Sequence, residues 1–85
     1  MSDAKLEKFG KFIERYRCQA RMAQGQLGKL LDVRSSYITS LENGEIWPED
    51  HIVDQLALVF GIPHEYLNAM LGQRPAPDGP RPNLI

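Results

Sequence analysis

The sequence predicts an all-α domain of five helices followed by a proline-rich tail. Two observations carry this. Apolar residues recur at three- and four-residue steps as far as residue 71, and no segment shows the sustained alternation that marks a strand. From Gly72 the composition changes to Pro75, Pro77, Pro80 and Pro82 with Gly79. The expected organisation is therefore a domain over 1–71 and a tail over 72–85. A tail of that composition buries too little surface to offset its ordering entropy, so it is read as disordered or extended. The other reading is an arm that reaches a partner subunit or DNA. Eighty-five residues allow one domain with a modest core.

Each element has its own signal. Leu6, Phe9, Ile13, Tyr16 and Ala20 place one face of a helix over 4–20. Leu27, Leu30 and Leu31 do the same for a short helix over 24–31. Three residues, Asp32 to Arg34, separate it from a third helix over 35–42, whose buried stripe is Ile38 and Leu41. Asn43-Gly44 reads as a stop, since both types tolerate the left-handed conformation that ends helices. Pro48-Glu49-Asp50 reads as a start, with proline near the first turn and acids at the positive helix end. Ile52, Val53, Leu56, Ala57 and Phe60 continue that fourth helix to Gly61. A fifth, over 64–71, presents Tyr66, Leu67, Met70 and Leu71.

Composition excludes several classes of function. The single cysteine, Cys18, permits no intrachain disulfide, which fits a reducing compartment. It has no base nearby in sequence and is read as unreactive. His51 and His64 stand apart from cysteines or acids at zinc spacing and are read as surface or helix-end residues, so no metal is expected. No catalytic residue is assigned: the serines lie without a histidine, and no glycine-rich phosphate loop or cofactor motif appears. No apolar run approaches the ~20 residues that span a bilayer, and the opening residues show no signal-peptide core. The expected location is the cytoplasm, associated with the nucleoid.

Net charge is −1, but it is unevenly spread. Residues 1–21 carry Lys5, Lys8, Lys11, Arg15, Arg17 and Arg21 against Asp3, Glu7 and Glu14. Residues 45–71 carry Glu45, Glu49, Asp50, Asp54 and Glu65 with no lysine or arginine. A polyanion is expected to meet the first half, with the acidic stretch turned away from it. The plainer reading is a set of solvated helix faces.

Two short helices joined by a three-residue turn form a known supersecondary unit. Taking Gln24 as the first position of a unit over 24–43, Leu27, Leu31, Val33, Ile38 and Leu41 fall where the two helices bury side chains between them. Gly28 falls where they cross most closely. Asp32 falls in the turn, where a positive φ is wanted and aspartate is among the few residues besides glycine that tolerate it.

The run Gln24-Gly25-Gln26-Leu27-Gly28, then Val33-Arg34-Ser35-Ser36-Tyr37-Ile38-Thr39-Ser40-Leu41-Glu42-Asn43-Gly44 and Pro48, resembles the lambda-repressor-like, Cro-type (XRE) helix-turn-helix family. Leu56-Ala57 and Phe60-Gly61-Ile62 resemble that family's fourth-helix ending, so the likeness covers roughly 6–71. The resemblance implies a five-helix DNA-binding domain, a recognition helix in the major groove, and a homodimer on a palindromic operator. By matching position, Gln24 and Asn43 would contact phosphate. Ser35, Ser36 and Ser40 would face base edges, flanked by Arg34 and Thr39. Arg17 and Glu42 match a buried ion pair that ties the first helix to the third.

The residue types suit these roles. Positions 34, 35, 36, 39 and 40 form the polar face opposite Ile38 and Leu41. Serine and threonine discriminate bases weakly. Arg34 fits either a bidentate contact to guanine or a grip on phosphate. Tyr37 fits a phosphate, a thymine methyl or plain exposure, and phosphate is the assignment made. Three positions depart from the family pattern. Ala23 stands where Ser or Thr usually caps the second helix, Ser40 where a basic or amide residue is frequent, and Glu45 where Lys or Arg is. Fewer phosphate contacts lower the salt slope and lean affinity on dimerisation.

Trp47, Tyr66, Met70 and Leu71 are the expected dimer contacts, with packing at the domain edge as the other reading of Trp47. The function expected is a sequence-specific regulator of transcription, with repression the favoured sign, and double-stranded DNA and a second copy as partners. The alternative is an antitoxin-like or adaptor module, binding a protein through the acidic 45–71 surface or the tail.

Overall fold

The computed structural model describes residues 4–72. They form five helices: α1 (Ala4–Gln19), α2 (Gln24–Leu31), α3 (Ser35–Glu42), α4 (Asp50–Phe60) and α5 (His64–Leu71). There is no strand among the described residues. The expected tail lies outside them apart from Gly72.

Every helix contributes to one core. Leu6, Phe9 and Ile13 come from α1, Leu27 and Leu31 from α2, and Ile38 and Leu41 from α3. Ile52, Val53 and Leu56 come from α4, and Leu67 and Leu71 from α5. Burying each large aliphatic side chain contributes about 1.5–3 kcal/mol. A second layer of rings lies outside this centre. Phe12 packs on Tyr16 at 4.7 Å and on Tyr66 at 5.7 Å between centroids, and Tyr16 meets Phe60 at 5.6 Å. These contacts fasten α1 to α4 and α5.

Four of the helices end alike. After α1, the amide of Met22 donates to Arg17 O and that of Arg21 to Cys18 O. After α2, Val33 donates to Gly28 O and Asp32 to Lys29 O; after α3, Glu45 donates to Ser40 O and Gly44 to Leu41 O. After α4, Ile62 donates to Ala57 O. The residue at each bend has a positive φ: Arg21 57°, Asp32 61°, Gly44 74° and Gly61 66°. This closure satisfies carbonyls that the helix itself leaves open. Asn43, expected to share the stop with Gly44, stays right-handed at φ −84°, and glycine alone makes the bend.

Helix starts are more varied. Ala23 has no side-chain acceptor, but its own amide donates to Gln26 Oε1 at 2.7 Å, so half of a capping box is in place. Pro48 is buried and precedes Glu49, the residue that flanks α4. The proline therefore sets the approach to α4 rather than its first turn.

Candidate nucleic-acid interface

The position of α3 is fixed from behind. Arg17 Nε donates to Glu42 Oε2 at 2.6 Å and Nη2 donates to Oε1 at 3.1 Å. Gln24 Nε2 adds a third bond to Glu42 Oε1 at 2.9 Å. Glu42 is only 6% exposed, so its carboxylate is stable there because three donors from α1 and α2 meet it. The hydrogen bond to Glu42 raises the Arg17 pKa from its ordinary value, against the opposing effect of burial. A raised cation loses its contribution only as pH climbs past the folded value, so this pair persists through any ordinary working pH. Arg17 Nη1 also donates to Met22 O at 2.7 Å, which ties the α1–α2 turn into the same network.

Two glycines let the backbones meet. A Cβ on Gly10 would lie 2.5 Å from both Leu41 O and Glu42 O. One on Gly28 would lie 2.7 Å from Val33 O. α1 therefore rests directly on the carbonyl end of α3, and α2 on the chain leading into it.

The outer face of α3 is different. Arg34, Ser35 and Ser36 are exposed and Ser40 is half-buried. Among the described residues, the side chains of these four make no internal hydrogen bond. Asn43 is exposed just past the helix.

Three of the residues assigned to DNA also have surroundings inside the protein. Thr39 was grouped with the base readers, but its hydroxyl lies 2.8 Å from Gln24 Oε1 and 3.2 Å from Ser35 O. Gln24 was assigned to phosphate, but its amide spans Thr39 and Glu42. Both side chains are occupied in joining α2 to α3. Tyr37, expected at a phosphate, is half-buried with its hydroxyl oxygen inside the protein.

Tyr37 lines an open groove of about 510 Å³ between α3 and the 45–49 loop. Val33, Tyr37, Ile46 and Trp47 form its apolar surface, with Arg34, Ser36, Ser40 and Glu49 around them. The expected separation of charge does not hold at this point. Glu49 shares the groove with Arg34 because the chain must pass beside α3 to reach α4. Lys8, Lys11 and Arg15 gather around a recess with Phe12 and Met70, where α1 meets α5.

The four proposed dimer residues do not form one patch. Leu71 is 2% exposed and belongs to the monomer's core. Trp47 lines the α3 groove. Tyr66 and Met70 stay at the α1–α5 side, beside Phe12. The sequence reading missed Leu58, which is 82% exposed on α4. Its position out of step with the buried stripe of Ile52, Val53 and Leu56 was the available signal.

A family model described as Helix-turn-helix matches residues 13–67. The chain belongs to this family, in its lambda-repressor-like, Cro-type form. The fold agrees with a solved structure, the restriction-modification controller protein C.AhdI from Aeromonas hydrophila. The two superpose with a TM-score of 0.68 at 26% identity, over 75% of this chain and 93% of that one. No curated protein matches the sequence. This helix-turn-helix protein is thus a DNA-binding regulator of transcription, in a family of regulators and not of enzymes. No helix among the described residues is long and apolar enough to cross a membrane.

Proposed function

We propose that the protein represses transcription in the cytoplasm by binding an inverted-repeat operator as a homodimer, with α3 in the major groove of each half-site. The observation that carries this reading is the contrast within α3. Its outer face presents Arg34, Ser35, Ser36 and Ser40 without hydrogen-bond partners among the described residues, while Glu42 locks the helix from behind. The helix is held in place while these side chains stay available, so binding need not order the backbone that carries them. Likeness to a restriction-modification controller supports a regulatory role for so small a chain. Dimerisation draws support from Leu58 and Tyr66, which are 82% and 54% exposed. Apolar side chains this open suit an interface core, either with a second copy or, in the adaptor reading, with another protein.

The test is selection of binding sites from a random duplex pool by the purified protein, followed by salt titration and sedimentation. Enrichment of an inverted repeat with half-sites about one helical turn apart, bound by two copies, is the expected result. No enrichment at low salt would overturn the reading in favour of a partner-dependent module.

A further inference from the structure

The groove beside α3 is mainly apolar, with side chains of opposite charge, Arg34 and Glu49, among its lining. Its apolar surface comes from Val33, Tyr37, Ile46 and Trp47, and a carboxylate, Glu49, stands at its edge. A phosphate brought against this surface would meet Glu49 and lose water against Trp47, with Arg34 as the one cation of the lining to offset both. Yet two of the unpartnered hydroxyl residues on α3, Ser36 and Ser40, line the same groove. Whatever Ser36 and Ser40 face therefore also faces Ile46 and Trp47. Base edges in the major groove are arrays of donors and acceptors with one strongly apolar group, the C5-methyl of thymine. A guanine O6 or cytosine N4 turned onto Ile46 and Trp47 rather than toward Arg34 would be desolvated and unpaired. A methyl would be buried.

We propose that the groove is a thymine-methyl site. It rests on the reading of α3 as the major-groove helix and adds to it two residues outside that helix. Ile46 and Trp47, from the following loop, fix thymine positions in the operator that the serine hydroxyls alone distinguish weakly. Specificity in this protein is then shared between hydrogen bonding from α3 and apolar contact from the 45–49 loop.

The experiment uses the full chain and its selected duplex. Each thymine is replaced singly by deoxyuridine, which deletes only the methyl, and separately by 5-bromodeoxyuridine, which restores a group of similar size. In each half-site, one or two uracil replacements should weaken binding about fourfold, the value of one buried methyl, and bromouracil should restore it. In Trp47→Ala the thymine and uracil duplexes should bind alike at those positions, with other base preferences retained. Ile46→Ala serves as the second variant if helicity or melting shows Trp47→Ala to be misfolded. A selected duplex indifferent to every uracil replacement overturns the methyl site while leaving the helix-turn-helix reading intact. Equal weakening of thymine and uracil duplexes by Trp47→Ala, with no uracil effect in the unmodified protein, places Trp47 against deoxyribose and also overturns it. Failure to select any duplex overturns both.

Discussion

At the end of α3, Glu42 is buried and receives hydrogen bonds from two other helices. About two turns earlier, Arg34, Ser35 and Ser36 are exposed, and their side chains have no hydrogen-bond partner among the described residues. The same short stretch, α3 and its N-cap Arg34, thus holds one tightly bound polar group and several open ones. The difference teaches where each kind of substitution should register. Changes at the anchored end should appear in folding, and changes at the open face in binding.

The largest break expected is Arg17→Met. It leaves the Glu42 carboxylate buried with Gln24 as its remaining side-chain partner, and should cost about 3–5 kcal/mol in urea denaturation. The double variant Arg17→Met, Glu42→Leu should recover much of that loss, because an apolar pair needs no compensation. A cost below about 1 kcal/mol for the single change would show that the pair does not anchor α3.

Gly10→Ala should cost about 1–3 kcal/mol, since its Cβ would collide with two carbonyls of α3 rather than with a yielding side chain. Gly25→Ala is the matched control. Nothing lies within 4 Å of a Cβ there, so the better helix propensity of alanine should stabilise by up to about 1 kcal/mol. Equal responses at the two sites would count against backbone contact as the reason for Gly10.

On the open face, Arg34→Ala should weaken operator binding by about 1–3 kcal/mol and leave stability within about 0.5 kcal/mol. Lost preference at a single base pair identifies a base contact. Uniform weakening with a salt slope reduced by about one identifies a phosphate contact. A large drop in melting temperature would contradict the division between the two regions. The smallest effect belongs to Ala23→Ser, which supplies the missing cap acceptor for α2 and should add about 0.5–1 kcal/mol, read from the denaturation midpoint.

The helices were legible because their limits are local. Gly61, Gly44 and Asp32 announce bends within a few residues of where they occur, and the three- and four-residue apolar spacing names the core. Arg21 escaped notice because no side-chain preference marks an arginine for positive φ; it sits at the bend where the Met22 amide reaches back to Arg17 O. The resemblance paired Arg17 with Glu42, and the two do meet at 2.6 Å. The role of Gln24 was harder to read. Its amide reaches Thr39, fifteen positions away, and an exposed-looking polar residue gives no local sign of such an engagement. Gly10 has no local signal either, because what requires it is the carbonyl end of α3, more than thirty positions on. The groove depends on a loop folding back beside α3, which neither periodicity nor charge count encodes.

The partnerless side chains at 34, 35, 36 and 40 have a consequence for lineage. Because no other described residue takes a hydrogen bond from these side chains, they are free to vary without compensating changes elsewhere. A descendant can acquire a new binding site in the genome by one or two replacements on this face, while the scaffold beneath is inherited unaltered. Address and architecture are written in different residues.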